Sequence, residues 1–237
     1  MQTDRPDFTE GPQTVQPGRV QAELGYTYTE DDEAGSEFES HSLPELLLRV
    51  GLLDDLELRI AWAGYIREKT DTTSTNTDID GVSDLSIGFK HSMYKQDQFW
   101  MDFSIIGEIE VPTGSNDITS DEVTPALKLL WAKDLNDTFG IAGNVNFVSA
   151  VADGDRFFEI QSSETLGIGL SETVGFYLEH FGLYPAESTD VSTTTHFING
   201  GFTYLVHEDL QLDARVGRGL NDAADDLFAG AGVTVRY

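Results

Sequence analysis

Histidine and serine are the residue types in this sequence best suited to catalysis or metal binding. The five histidines are His41, His91, His180, His196 and His207. No two of them form an HxxxH or HxH pair, the local spacings typical of a shared metal ion. A serine hydrolase would need Ser162 or Ser163 beside a histidine on a neighbouring strand, and no sequence pattern places them together. We therefore predict no catalytic residue, no metal site, no cofactor and no enzymatic activity.

Carboxylates are the other residue type that could bind ions or take part in chemistry, and they cluster between apolar segments. Residues 29–40 contain Glu30, Asp31, Asp32, Glu33, Glu37 and Glu39, and other clusters contain Asp71, Asp78, Asp80, Asp222, Asp225 and Asp226. Three interpretations are open: a vestibule that concentrates cations, a divalent-ion site made of carboxylate oxygens, or a solvated acidic surface. Asp78-Ile-Asp80-Gly81 matches only part of the D-x-[DN]-x-[DN]-G calcium loop, which favours the solvated surface.

Composition excludes several classes of protein. The 237 residues carry a formal net charge of -28, which argues against nucleic-acid partners because phosphate binding requires an excess of Lys and Arg. The chain has no cysteine, which excludes disulfides and thiolate metal sites. No apolar run approaches the roughly 20 residues of a membrane helix. No apolar h-region follows Met1, so we expect any signal peptide to have been removed.

Alternation of apolar and polar residues is the strongest pattern in the chain. In residues 99–111 one face carries Phe99, Met101, Phe103, Ile105, Ile109 and Val111. Because side chains alternate across a strand, this spacing predicts a strand with one apolar face. Similar segments recur near residues 19–28, 42–52, 56–66, 82–92, 123–132, 139–147, 174–184, 196–206, 210–216 and 227–237. In residues 157–170 the pattern is poorest, since Glu164 is in phase with Leu166 and Ile168, and a bulge or a late strand start would explain it.

The segments predict an all-β fold, a transmembrane antiparallel up-and-down barrel of about 12 strands. Tight links near residues 54–55, 95–98, 134–137, 171–173 and 206–209 alternate with longer ones near 29–41, 67–81, 112–121, 150–156, 185–193 and 219–225. This asymmetry predicts periplasmic termini and long acidic extracellular loops in the outer membrane of a Gram-negative cell. The last strand ends on Tyr237, which resembles the terminal signal read by the barrel-assembly machinery.

Strand phase also predicts which side chains face the lumen. If the apolar faces meet lipid, the lumen contains Glu23, Glu45, Arg49, Glu57, Arg59, Asp84, Lys90, Asp102, Glu108, Lys128, Glu179, Asp213, Arg215 and Arg236. A soluble barrel or sandwich would place the same residues in water. Aromatic residues near strand ends favour the membrane interpretation, because interfacial girdles carry them. His180 falls on the apolar face near a predicted strand end, where we expect an interfacial role.

The N-terminus carries a family resemblance. Thr3-Asp4-Arg5-Pro6-Asp7-Phe8-Thr9-Glu10, then Pro12-Gln13-Thr14-Val15 and Pro17-Gly18-Arg19, resemble the opening of an outer-membrane transporter family named for the meta-pathway of phenol degradation. The resemblance implies an outer-membrane barrel that passes small compounds, and the family name points to aromatic ones. We divide the chain into an N-terminal segment, residues 1–17, and a barrel, residues 18–237. The segment is either a solvated periplasmic tail or a plug, in which Arg5 and Asp7 pair with lumen charges.

The predicted function is that of an outer-membrane channel or porin-like transporter for passive passage of small solutes. One alternative is a structural or interaction barrel without a conducting path, whose acidic loops bind ions, lipopolysaccharide or a protein. A membrane-embedded hydrolase is a further alternative. The predicted partners are outer-membrane lipid and lipopolysaccharide, a small-molecule solute and the barrel-assembly machinery, with no nucleic acid.

Overall fold

The computed structural model describes residues 1–33, 35–152, 154–186 and 193–237. Strand residues dominate these ranges, and none of their residues is helical. No helix long and apolar enough to cross a membrane occurs in these ranges. The strands are β1 Val20–Glu33, β2 Ser36–Leu53, β3 Leu56–Trp62, β4 Tyr65–Thr72, β5 Asn76–Val82, β6 Leu85–Tyr94, β7 Asp102–Val111, β8 Thr124–Asp134, β9 Phe139–Ala152, β10 Asp155–Gly169, β11 Val174–Pro185, β12 Thr195–His207, β13 Leu210–Gly219 and β14 Leu227–Arg236.

The strands form one closed antiparallel barrel. Each strand from β6 to β14 pairs with its sequence neighbour, and β1 closes the barrel by pairing with both β14 and β2. β3 and β4 both pair with β2, at its two ends, and their partners β6 and β5 lie on the far side. β3 and β4 together form one interrupted barrel strand, and β5 and β6 form another. The 14 segments therefore make 12 barrel strands, which confirms the predicted 12-stranded all-β barrel.

The interruption between β3 and β4 has a steric cause at Gly64. This residue has φ = 89°, a left-handed conformation that glycine adopts without penalty. A Cβ atom there would lie 2.3 Å from the carbonyl oxygen of Pro44 on β2. Pro44 has no N–H to donate to the ladder, so β2 pairs with β3 up to Leu46 and with β4 from Leu43.

The two faces of the barrel differ in the way a membrane barrel requires. Large apolar side chains are exposed on the outside, among them Leu24, Phe89, Ile109, Leu127, Leu178, Phe202, Leu212 and Val216. Polar and charged side chains are buried on the inside, among them Gln21, Ser104, Asn144, Asn146, Asn199 and Thr234. A soluble barrel would have the opposite arrangement, because burial of apolar side chains stabilises it in water.

Two expectations about local structure are wrong. β10 pairs with β9 and β11 without any register shift, so residues 157–170 contain neither a bulge nor a late strand start. Glu164 instead points outward, 3.1 Å from His180. Most of the predicted loop at 29–41 is strand, since Glu33 already pairs with Ser36, and residues 67–81 likewise form a hairpin. Both faces of these hairpins are polar, which removes the alternation that reveals a strand.

Some of the predicted loops lie partly outside the described residues. These positions are residue 34 in the 29–41 region, residue 153 in the 150–156 region and residues 187–192 in the 185–193 region. The described connections include the tight turn between Leu53 and Leu56 and the longer stretch between Val111 and Thr124. The stretch between Val111 and Thr124 is long, as predicted, but the predicted loop at 150–156 is mostly strand, since β9 ends at Ala152 and β10 begins at Asp155.

The outward phase of β6 can be tested at Phe89. This side chain is 49% exposed near the centre of the strand, where we expect hydrocarbon. Phe89→Arg should make folding into lipid vesicles less favourable by about 2–4 kcal/mol, since a cation at the bilayer midplane is poorly solvated. Phe89→Leu is the control and should change folding little. A soluble barrel would tolerate the arginine, so an unchanged folding free energy would contradict the membrane assignment.

Candidate functional site

The N-terminal segment, residues 1–17, contains no strand and lies against inward-facing side chains of the barrel. Most of the predicted lumen residues contact it through hydrogen bonds or ion pairs: Glu23, Glu45, Arg49, Glu57, Arg59, Lys90, Asp102, Lys128, Glu179, Asp213 and Arg215. The segment and these residues therefore form one candidate site.

Asp4 has the largest set of charged partners in the segment. Its Oδ2 accepts hydrogen bonds from Arg59 Nη1 at 2.5 Å and from Lys90 Nζ at 2.9 Å. Arg49 Nη1 lies 3.4 Å from the same oxygen. All four side chains are buried, and the three cations come from the adjacent strands β2, β3 and β6. Asp4 thus shares these three cations with the buried wall carboxylate of Glu57, in a region that excludes most water.

The predicted plug residues Arg5 and Asp7 have different surroundings. Arg5 Nη1 donates to Glu45 Oε2 at 2.6 Å, and Arg5 Nη2 lies 3.5 Å from Asp213 Oδ1. Asp7 has no ion pair within 4.0 Å among the residues that the structure describes, and Asp4 rather than Asp7 meets the cations. Sequence analysis missed Asp4, since nothing in a segment without strand periodicity reveals which carboxylate turns toward the wall.

Carboxylates of the wall accept hydrogen bonds from the backbone of the segment. Glu23 Oε2 accepts from Asp4 N at 3.0 Å and from Arg5 N at 2.9 Å. Glu179 accepts from Phe8 N at 2.9 Å and from Thr9 N at 2.7 Å. Glu57 Oε2 accepts from Val15 N at 2.7 Å. A buried N–H outside a ladder needs an acceptor, and these three glutamates supply it.

An aromatic cluster holds the centre of the segment. The Phe8 ring stacks on Phe181 with centroids 4.5 Å apart and planes 5° apart. Phe181 in turn packs against Phe197 and Phe228, and all three are buried. Sequence analysis missed this cluster, although Phe181 is in phase with Glu179, which the same analysis placed in the lumen.

A second charged cluster surrounds Glu10. Lys128 Nζ lies 3.0 Å from Glu10 Oε2 and 2.8 Å from Glu108 Oε1, and the guanidinium of Arg59 bonds to Glu10 Oε1. Among the contacts of the described residues, Glu108 reaches the segment through Lys128 alone. Since Arg59 also bonds to Asp4, one guanidinium joins the two clusters.

Two predicted lumen residues have partners outside the segment. Asp84, between β5 and β6, accepts hydrogen bonds from the backbone of Thr113, Gly114 and Ser120. Arg236 Nε donates to Asp209 Oδ1 at 2.8 Å in the β12–β13 turn, and this hydrogen bond lowers the pKa of Asp209.

Two cavities flank the segment. One, of about 470 Å³, is lined by Glu10, Glu45, Leu47, Arg59, Trp62, Asp84, Glu108, Glu110, Lys128 and other residues. The other, of about 630 Å³, is lined by Pro12, Gln13, Thr14, Asp54, Lys95, Asp102 and others. Glu10 lines the first cavity and Pro12 the second, so the chain around residues 10–12 lies between them.

Residues that sequence analysis considered for catalysis do not form a triad. Ser163 Oγ accepts a hydrogen bond from Thr9 Oγ1, and Ser162 Oγ donates to the Tyr184 hydroxyl. Neither serine is bonded to a histidine within the described ranges. His180 and His196 lie side by side on the outer wall. The placement of His180 near a strand end is wrong, because it lies inside β11, between Glu179 and Phe181 of a strand that continues to Pro185.

The stability of the site should depend on Asp4. Asp4→Asn keeps the shape of the side chain but removes one of the two carboxylates that Arg49, Arg59 and Lys90 share, and leaves them with Glu57 alone in common. We expect the free energy of unfolding to fall by about 3–5 kcal/mol, measured by urea titration with tryptophan fluorescence. Asp209→Asn is the control, because its half-buried carboxylate lies in the β12–β13 turn and meets only Arg19 and Arg236 among the described residues, and it should have a much smaller effect. Equal effects of the two substitutions would contradict the central role of Asp4.

Several solved structures share the fold. The COG4313 outer membrane channel from Pseudomonas putida F1 superposes with a TM-score of 0.72 at 12% identity, covering 95% of this chain and 97% of that one. The translocator domain of the autotransporter NalP from Neisseria meningitidis gives 0.60 at 13% identity, with 92% and 88% covered. The CymD monoaromatic hydrocarbon channel gives 0.50 at 10% identity, with 94% and 88% covered. At these identities the likeness concerns the fold alone.

The sequence itself matches a family. No curated protein matches the chain. The family model described as "Putative MetA-pathway of phenol degradation" matches residues 3–237, nearly the whole chain. This match includes the N-terminal motif on which the resemblance rested, and it confirms that resemblance. The chain therefore belongs to the family of the "Putative MetA-pathway of phenol degradation".

Proposed function

We propose that this protein is an outer-membrane channel for passive passage of small solutes, and that residues 1–17 are a plug inside it. The observation that carries the proposal is the pair of cavities separated by residues 10–12. A closed barrel with an apolar exterior spans a bilayer without unpaired backbone groups, and a charged interior admits water. The plug is then the barrier on an otherwise continuous path.

The proposed orientation follows from the connections. The hairpin extensions β1–β2 and β4–β5 and the long connection from β7 to β8 lie at one end of the barrel, and the tight turns between β2 and β3 and between β12 and β13 lie at the opposite end. In outer-membrane barrels the long connections are extracellular and the short ones periplasmic. We therefore propose that the acidic hairpins face the outside and that both termini are periplasmic. The cavity lined by Asp84 and Trp62 then opens outward, and the cavity lined by Asp54 and Lys95 opens to the periplasm.

Selectivity of the channel would follow from the lining of the outer cavity. Acidic side chains outnumber basic ones there: Glu10, Glu45, Asp84, Glu108 and Glu110 against Arg59 and Lys128. Such a surplus favours cations over anions. Leu46, Leu47, Trp62 and Val148 add an apolar patch to the same cavity. Small aromatic molecules are the uncharged solutes that suit this mixture, and the described CymD channel takes its name from such compounds.

A non-conducting structural barrel is the second candidate. The observation that favours it is the complete burial of Arg49, Lys90, Glu57 and Glu23 around the plug, which leaves little room for solute while the plug is in place. We propose against enzymatic activity, because neither Ser162 nor Ser163 has a histidine partner within the described ranges. The partners proposed for either candidate are outer-membrane lipid, lipopolysaccharide, and the barrel-assembly machinery through β14.

Conductance across a planar bilayer tests the proposal. We expect the folded full chain to give small or rare steps, and a chain lacking residues 1–17 to give larger, discrete steps. Under a salt gradient the reversal potential of the shortened chain should favour cations, because carboxylates remain in surplus around the outer cavity.

A point variant separates plugging from general damage by the deletion. Phe8→Ala removes the ring that stacks on Phe181 and should raise the frequency of opening without removing any charge. Phe89→Leu on the outer wall is the matched control and should leave conductance unchanged. If the shortened chain folds, inserts and still passes no current, the structural barrel is the better description.

A further inference from the structure

A line of polar side chains crosses the outer wall of β10, β11 and β12. His180 Nδ1 lies 3.1 Å from Glu164 Oε2, and His180 Nε2 lies 3.4 Å from His196 Nδ1. The Tyr184 ring meets the His196 ring edge-on with centroids 5.4 Å apart, and its hydroxyl bonds to Ser162. These side chains belong to the outside of the barrel and have no contact with the plug among the interactions described.

This line interrupts an otherwise apolar surface. Outward neighbours on the same strands are Ile160, Leu166, Phe176, Leu178, Ile198 and Phe202. An ionisable side chain on the lipid face of a barrel costs free energy that an apolar residue would not, and such residues are functional sites by default. Glu164 and His180 compensate each other only in part, since Glu164 remains largely exposed. The polar line therefore requires a role.

The two imidazoles have the spacing of ligands that share one metal ion. Zn²⁺ binds histidine nitrogen at about 2.0–2.1 Å in tetrahedral geometry, so two such nitrogens stand about 3.4 Å apart. His180 Nε2 and His196 Nδ1 are 3.4 Å apart, and their ring planes differ by 21°. An ion would lie beside the line joining the nitrogens, and each ring would turn toward it.

Glu164 occupies the position of a supporting carboxylate. Metal-bound histidines usually donate their other ring N–H to a carboxylate, which fixes the tautomer and raises the basicity of the ligand nitrogen. With the proton on His180 Nδ1 directed at Glu164, the lone pair of His180 Nε2 is free to face His196. This geometry accounts for a glutamate on the outer wall, where sequence analysis found only a defect in the strand pattern.

Gly182 lets the Tyr184 hydroxyl and the His196 ring approach each other over the backbone of β11. It lies opposite His196 on β12 and opposite Ser162 on β10. A Cβ atom at this position would lie 2.5 Å from the Tyr184 hydroxyl and 3.1 Å from His196 Nδ1. Side chains from three strands thus converge over a residue that has no side chain of its own.

We propose that His180 and His196 bind a divalent transition-metal ion, with Zn²⁺ as the probe, and that Glu164 positions His180. Imidazole nitrogen suits Zn²⁺, Cu²⁺ and Ni²⁺ and not the hard ions Ca²⁺ and Mg²⁺. Water and the Tyr184 hydroxyl complete the coordination. The site lies on the outside of the barrel and is independent of the conducting path.

His207, Glu208 and Asp209 are the competing group among the described residues, because their ligand atoms lie within 4.8 Å of one another. Asp209 Oδ1, however, already accepts from Arg236 Nε at 2.8 Å and from Arg19 Nη1 at 3.1 Å. Two guanidinium groups beside a carboxylate oppose binding of another cation. His207→Ala is therefore the matched control for the proposed site.

Calorimetric titration of the folded full chain in detergent with Zn²⁺ tests the proposal, with no affinity tag present. We expect one saturable site in the wild type, lost in His180→Ala and in His196→Ala. Glu164→Gln should weaken it about 10–100-fold, because the positioning carboxylate is replaced while both ligands stay. Gly182→Ala should also weaken it, since the methyl group intrudes on the space over residue 182. His207→Ala should bind like the wild type.

Any one of the following results would overturn the proposal. They are the absence of a saturable Zn²⁺ site in the wild type, binding by His180→Ala at wild-type affinity, and loss of the site in His207→Ala alone. Heat-modifiable migration on gels shows for each variant that the barrel is folded, so a lost site is not confused with a lost fold. Titration with Mg²⁺ under the same conditions should give no binding at this site, and competition by Mg²⁺ at equal concentration would also overturn it.

Discussion

Closure of the backbone hydrogen-bond ladder is the constraint on which the rest of the structure depends. An apolar bilayer offers no partner to an open strand edge, so β1 must pair with β14 as well as with β2. Once the barrel is closed, alternate side chains point into a narrow interior, where the polar side chains of neighbouring strands lie close together. The outward side chains can then be apolar, and the inward charged side chains need opposite charges and hydrogen-bond partners within a small volume.

The N-terminal segment is part of that solution. Three cations from β2, β3 and β6 share one wall carboxylate, Glu57, and the carboxylate of Asp4 supplies the second negative charge that offsets their repulsion. Buried glutamates of the wall need hydrogen-bond donors, and backbone N–H groups of the segment donate to them, as at Glu23 and Glu179. The segment needs no strand partner, because its own buried N–H groups are satisfied by these side chains. Wall and segment therefore complete each other chemically, which explains order in a stretch with no periodic pattern.

The sequence predicts what depends on local periodicity and misses what depends on pairing across the barrel. Period-two alternation predicts that Glu57, Lys90 and Lys128 point inward, because the apolar and polar positions within each strand show which of its faces is which. It cannot reveal that Asp4 meets Lys90, or that Glu164 meets His180, since those contacts depend on register between distant segments. Hairpin extensions such as β4–β5 were predicted as loops because both their faces are polar. The role of Phe181 could not be predicted, because alternation shows only that its side chain points inward and does not show that Phe8 packs against it.

Removal of one charge and removal of the whole segment have different electrostatic consequences. Replacing Asp4 alone leaves its cations buried under the remaining segment, where water cannot reach them and each charge keeps its full desolvation cost. Removing residues 1–17 opens the interior, so water hydrates Arg49, Arg59 and Lys90 and screens their mutual repulsion. The backbone ladder of the wall closes without any strand from the segment, so we expect the barrel to stay closed when the segment is removed. Residues that bind the segment most tightly can therefore be the ones that line a stable, water-filled passage once it has gone.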